Sequence, residues 1–230
     1  YATHVRNRDT HYDLGFTEAM STARQSGAKL QISHIQPKFG APDHAMEHTL
    51  EMIELARRHD TDIAFDVIPH DWNHTLMAAI LPKWAQAGSI DDVLERLANP
   101  EMREKIKANP QPMWLIVKAE KWSEIALLNA THNKGIVGMD FAEIGRMRNC
   151  HPYDAVLDIL LEEGQDMMSC MWTSRSFRDE DVDLCLHQSE CAVISDTVAT
   201  ANEGVLKDHL GSLTGYGWAA RFLQYYVRDR

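Results

Sequence analysis

The chain has 230 residues, 44% hydrophobic and 25% charged, which is ordinary for a globular protein and enough for one large domain or two small ones. Its 23 basic and 34 acidic residues leave a formal net charge of −11, a surface that repels phosphate backbones and excludes nucleic acid as a partner. No apolar run approaches the ~18–20 residues of a membrane span, so no membrane partner is expected.

The first stretch, YATHVRNR, reads as a buried strand that ends at His4, with Arg6 just beyond it. It lacks an initiator Met and a leader, and is expected to be an internal piece of a longer chain. Residues 12–26 place Leu14, Phe16, Ala19, Met20 and Ala23 roughly on one helical face, with Gly27 as C-cap. The run KLQISHI then stops at His34. Residues 43–58 set Met46, Leu50 and Ile53 at helical spacing, with Asp43 as the expected N-cap. The next run, DIAFDVIPHD, carries Asp66, His70 and Asp71 at or beyond its end.

A longer region follows. It holds helix-like stretches at 75–87, 90–108, 140–148 and 152–163, and strand-like stretches at 113–118 (MWLIVK) and 167–172 (MMSCMW). A last helix, from Arg178 to about His187, leads into CAVISD, which stops at Asp196. Met167, Met168 and Met171 read as packing residues, and Glu180, Asp181 and Asp183 as a solvated face at a helix start.

Strands alternating with helices call for a parallel sheet with right-handed crossovers. His4 to His34 is 30 residues and His34 to Asp66 is 32, against roughly 31 per unit in a (β/α)₈ barrel of about 250 residues. Asp66 to Asp196 is 130 residues, which leaves room for an insertion of roughly 100 on the same scale. In such barrels the C-terminal strand ends form the active site.

Histidine nitrogens and carboxylate oxygens are natural ligands for Zn²⁺. Two histidines on adjacent parallel strand ends can face one ion, which lowers the pKa of water towards ~7 and polarises a carbonyl. A carboxylate on a further strand end can take the water's proton and pass it to a leaving nitrogen. His4, His34 and Asp196 fit these roles; a satisfied structural histidine is the competing reading. HAMEH at 44–48 matches an inverted zinc-protease pattern, but an amphipathic helix with both histidines on its wet face accounts for it. The four cysteines form no CxxC pair, which favours a reduced, cytoplasmic protein and argues against cysteine-bound zinc.

YATHVRNR, LQISHI, DVIPHDWNHT…LPKWAQAG, DAVLDILLEEG, FRDEDVDLCL, VISD and YGWAARFLQYYVR follow one another in an order that resembles the N-acyl-D-amino-acid deacylase branch of the metal-dependent amidohydrolase superfamily. The resemblance covers essentially the whole chain. It implies the C-terminal half of a (β/α)₈ barrel, strands five to eight, with a long α+β insertion between strands seven and eight. The corresponding segments are 1–74, 75–190 and 191–230. It implies His4 and His34 as zinc ligands and Asp196 as the catalytic acid/base. It implies one or two zinc ions, the second needing residues upstream of Tyr1, and the missing half of the barrel as a partner, with a homo-oligomer as a further option.

The resemblance also marks departures. Gln36 stands where a Lys is usual, His70 and His74 where a Tyr-rich turn and a nearby Ser are usual, and Thr214 where an Arg holds the substrate carboxylate. Gln36, His70, His74, Thr214 and Arg6 are the expected substrate-contacting set. The resulting expectation is hydrolysis of the C–N bond of a small N-acylated compound, favouring substrates without a free α-carboxylate because two positive charges are lost. A cyclic-amide hydrolase and a catalytically degenerate binding protein are the alternatives.

Overall fold

In the computed structural model, which describes residues 1–197, 203–204, 215 and 217–229, the chain opens on a two-residue strand, β1 (Ala2–Thr3). Helix α1 (Tyr12–Ser26) has the limits its periodicity predicts, because Tyr12, Phe16, Ala19, Met20 and Ala23 are all buried on one face. Leu14 departs from that reading and is 65% exposed. Gly27 closes the helix at φ 69°, where a side chain would be strained, and its N–H donates to Ala23 O. Gly15 is needed for a different reason: a Cβ there would lie 2.9 Å from the Asn7 carbonyl oxygen, so α1 runs hard against the loop that follows β1.

Strand β2 (Leu30–Ile32), helix α2 (Ala45–Arg58) and strand β3 (Ile63–Val67) follow. The expected cap at Asp43 does not form. The helix starts one residue later, on His44 without a side-chain cap, and the Asp43 carboxylate instead lies 3.3 Å from Arg178.

At Trp72 the chain enters a second compact unit, spanning Trp72–Arg175. Here local periodicity misleads. Residues 72–76 form strand β4 (Trp72–Leu76) where a helix was expected from 75, and a 3₁₀ turn covers Met77–Ile80. The 90–108 stretch is broken into α3 (Ile90–Ala98) and α4 (Pro100–Ala108) by Asn99–Pro100. The Asn99 side chain caps the new helix, and proline suits its first turn. MWLIVK is no strand: Leu115–Lys118 forms the one-turn helix α5. Trp114 decides this, donating to Ala79 O at 2.7 Å and packing edge-on against Trp172 at 4.9 Å. The strand is supplied instead by β5 (Ile125–Asn129), which the sequence reading missed. Helices α6 (Phe141–Arg148) and α7 (Pro152–Glu163) fall where expected. Strand β6 (Met171–Arg175) starts later than expected, since 164–169 is a 3₁₀ turn; Met167 is buried, whereas Met168 is exposed. The sheet is antiparallel, in the order β4-β6-β5.

From Ser176 the chain returns to the first unit with α8 (Asp179–Leu186), β7 (Cys191–Val193) and α9 (Trp218–Arg221), the last continuing as π-helix through Arg228. Asp181 is not part of a solvated face. It is 1% exposed and pairs with Arg178 at 2.7 Å. Strands β1, β2, β3 and β7 form one wholly parallel sheet in that order. Among the described residues this sheet does not close into a barrel. Its core joins Ile32, Ile63, Phe65 and Val67 to Phe16, Met46, Ile53 and Val182 of the covering helices. No described helix is long and apolar enough to cross a membrane.

Candidate metal and catalytic site

Strand register brings the predicted residues to one edge. Thr3 pairs with Ile32, Ile32 with Phe65 and Phe65 with Cys191, so His4, His34, Asp66 and Asp196 all lie at or just past the C-terminal ends of neighbouring parallel strands. His4 Nδ1 and His34 Nε2 face each other at 2.9 Å, and Asp196 Oδ2 lies 3.9 Å from the same His34 nitrogen.

Both histidines are held as neutral imidazoles. Burial, followed by the charges of Arg8 and Lys38, lowers His4 to about 4. Burial, followed by Arg8 and His4, lowers His34 to about 2. Neutral imidazole is the form that binds metal. Two nitrogens each ~2.0–2.1 Å from a tetrahedral zinc sit about 3.3 Å apart, so a small opening of the pair would accept the ion. The other ring nitrogen, His34 Nδ1, is buried without a hydrogen-bond partner, as is Arg8 Nε beside it. The donor set therefore fits a metal, though only as part of a site: no group of three or more His, Cys, Asp or Glu residues converges as a metal cage among the described residues.

His34 and Asp196 both have left-handed backbones, at φ 41° and 47°, a conformation that costs a non-glycine residue of order 1–3 kcal/mol and clusters at functional sites. Asp66, 5% exposed, accepts from His34 N–H at 2.6 Å and from Gln31 Nε2 at 2.8 Å. Burial raises its carboxyl, against the pull of those two donors. Arg8, also 5% exposed, donates to the carbonyls of His34 and Gln36 and stacks over the Phe177 ring at 5.5 Å.

Asp66 stands out in the sequence as a strand-end carboxylate without an assigned role, whereas Arg8 and Lys38, two further charged groups at this edge, do not stand out at all. Lys38 is brought in through its backbone N–H, which donates to Arg8 O at 2.7 Å. Burial, then the charge of Arg8, lowers its ammonium to about 7, against Asp9 and Asp196. No motif marks Arg8 or Lys38; the signal available was that charged side chains fall within a few positions of the strand ends.

The residues expected to contact substrate have the following surroundings. Gln36 is fully buried, and its amide exchanges both hydrogen bonds with the Ile68 backbone, at 2.6 and 3.1 Å. Arg6 points outward and pairs with Glu18 at 2.7 Å. His70 Nδ1 lies 3.2 Å from Asp71 in the turn after β3, and Arg221 reaches the same turn by donating to Pro69 O at 3.1 Å. His74 sits within β4, opposite Thr173, and Thr214 lies outside the described residues. In HAMEH, His44 is exposed but His48 is half-buried, with Nδ1 2.7 Å from Tyr12 Oη. All four cysteines are free thiols.

No protein-family model matches the chain, and no curated protein sequence matches it. Solved structures do. The N-acyl-D-glutamate deacylase from Bordetella bronchiseptica, complexed with zinc and a phosphonate mimic of the tetrahedral intermediate, matches 99% of this chain at TM-score 0.65 and 18% identity. D-aminoacylase, whose structure defines a novel subset of amidohydrolases, matches 100% at TM-score 0.63 and 20% identity. A D-aminoacylase structure addressing the role of its binuclear metal centre matches 100% at TM-score 0.63 and 19% identity. In each case this chain spans 37% of the other's length. Over its whole length, then, the chain is a mixed α/β structure with the fold of one part of these amidohydrolases.

Proposed function

We propose that this chain carries the strand-five to strand-eight half of a (β/α)₈ amidohydrolase barrel, with the antiparallel unit as its insertion. The whole protein hydrolyses the C–N bond of a small N-acylated compound. The observation that carries this reading is the convergence of His4 Nδ1 and His34 Nε2 at 2.9 Å, with Asp196 3.9 Å away, at the C-terminal edge of a parallel sheet. His4 and His34, together with ligands from outside this chain, would hold zinc, which would supply an activated water and a polarised carbonyl. Asp196 then takes a proton from the attacking water and returns it to the departing nitrogen, acting as general base and then general acid. Its 46% side-chain exposure leaves it within reach of both. Arg8 and Lys38 favour the neutral imidazoles that ligation needs.

The test is amide hydrolysis by the full-length protein on a panel of N-acyl amino acids, their amide analogues and cyclic amides. Asp196→Asn is expected to lower kcat by roughly 10²–10⁴-fold, the contribution of a positioned acid/base. His34→Ala is expected to remove both zinc and activity. Turnover unaffected by either substitution would refute the assignment. Faster turnover of the uncharged analogues is the expected order, since Thr214 carries no charge with which to clamp a carboxylate.

A further inference from the structure

The ladder between β2 and its neighbours is continuous on both sides of His34. Ser33 N–H donates to Thr3 O at 2.9 Å, and Ile35 N–H donates to Asp66 O at 3.0 Å. His34 itself steps out of that ladder at φ 41°. A turn of this kind is ordinarily made by glycine, which has no Cβ to strain. Glycine cannot serve here, because the position must carry an imidazole. The two backbone groups that the turn removes from the sheet are taken by opposite charges: the N–H by the Asp66 carboxylate at 2.6 Å and the C=O by the Arg8 guanidinium. Both side chains are 5% exposed, so neither contact is diluted by water. Each charged group is braced in turn. Gln31 holds the other oxygen of Asp66, and Gln36 O with the Phe177 ring holds Arg8.

We infer that Asp66 and Arg8 are positioning residues, a charged clamp on the His34 peptide that fixes its left-handed turn and so aims Nε2 at the metal position shared with His4. The inference rests on the metal reading of the His4–His34 pair proposed above. Neither residue touches the imidazole. Their effect is geometric, and outer partners of this sort typically tune metal affinity as strongly as they tune activity.

The experiment measures Zn²⁺ affinity of the full-length protein by competition with a chromophoric chelator, and the visible absorption of the Co²⁺-loaded form. Asp66→Ala and Arg8→Met are each expected to weaken Zn²⁺ by about 10–100-fold and to shift the Co²⁺ bands. Asp66→Asn should stay within about threefold of the parent, since its amide oxygen still accepts from His34 N–H while the Gln31 amide turns to meet the new N–H₂. Should Asp66→Ala fail to fold, Gln31→Leu, which frees only the bracing oxygen, is expected to cost about three- to tenfold. Parent-like affinity and spectra in Asp66→Ala and Arg8→Met, or in Gln31→Leu, overturn the clamp while leaving the metal reading intact. Unchanged affinity in His34→Ala overturns the metal reading and the clamp together.

Discussion

Each of the two units buries a carboxylate, and the two are treated differently. In the antiparallel unit Glu163, 1% exposed, accepts from the backbone N–H groups of Thr131, His132 and Asn133 and from Asn133 Nδ2. Burial pushes this carboxyl up, but the Asn133 side chain and the three backbone donors outweigh it and hold it below the usual glutamate range. In the parallel unit Asp66 has only two donors, and burial wins, so its carboxyl is raised. The first is a charge fully solvated by the protein, which is how a loop is tied down. The second belongs to an edge where Arg8 Nε and His34 Nδ1 remain unpartnered in the interior. Incomplete satisfaction of ionisable groups, more than burial, is what separates a reactive edge from a structural tie.

The two buried carboxylates are expected to respond differently to substitution. Glu163→Gln replaces one accepting oxygen by a donor facing backbone N–H groups and is expected to destabilise the antiparallel unit by about 2–3 kcal/mol. Five of the six tryptophans (Trp72, Trp84, Trp114, Trp122 and Trp172) lie in that unit, so urea unfolding followed by tryptophan fluorescence reports on it. Asp66→Asn, whose neighbour Gln31 can turn its amide, should leave the midpoint followed by far-ultraviolet circular dichroism nearly unchanged. Equal losses in the two variants would remove the distinction.

A second test addresses backbone fit in the parallel unit. In Gly15→Ala the new Cβ meets the Asn7 carbonyl oxygen at 2.9 Å, and neither backbone can yield freely. The expected loss is about 1–2 kcal/mol, typical of overpacking, and it should appear in far-ultraviolet circular dichroism before tryptophan fluorescence responds. A fully tolerated alanine would show that the loop after β1 is less tightly set than the distances indicate.

The pH dependence sharpens the contrast. His4 and His34 have folded pKa values lowered to about 4 and about 2, below their unfolded value of ~6.5. Their contribution to stability is therefore complete above ~6.5 and is lost progressively as pH falls through that value towards 4 and below. The depressed Glu163 carboxyl behaves alike but starts from ~4.3. Acid titration should weaken the parallel unit between about pH 6.5 and 4.5 while the tryptophan signal holds, with the antiparallel unit following at lower pH. Simultaneous loss of both signals near pH 6 would contradict this order. The smallest effect is expected at Arg6→Ala. That arginine pairs with Glu18 in open solvent, with side-chain exposures of 76% and 50%, and exposed pairs contribute little. Its thermal midpoint should be unchanged; a clear drop would mean that charge on the outer face matters as much as charge on the sheet edge.

What was legible in the sequence was local or periodic. The limits of α1 followed from a 3.6-residue repeat and one glycine, and those of α7 were equally plain. The three residues that meet at the sheet edge, His4, His34 and Asp196, stand out in the sequence because each closes a short, mostly apolar run with a side chain able to bind metal or move a proton. Tertiary structure alone decided the rest. MWLIVK has strand-forming residues, yet Trp114 docks on Trp172 and Ala79 and winds it into a helical turn. Asp181 has the signature of a solvated helix start, yet it is buried beneath the partly exposed Arg178, which pairs with it at 2.7 Å. Arg8, Lys38 and Asp66 become neighbours of the two histidines only when strands some thirty residues apart in sequence lie side by side. Periodicity reports which face of an element is dry. Which charges share that dry edge depends on pairings between distant segments, and no local pattern encodes them.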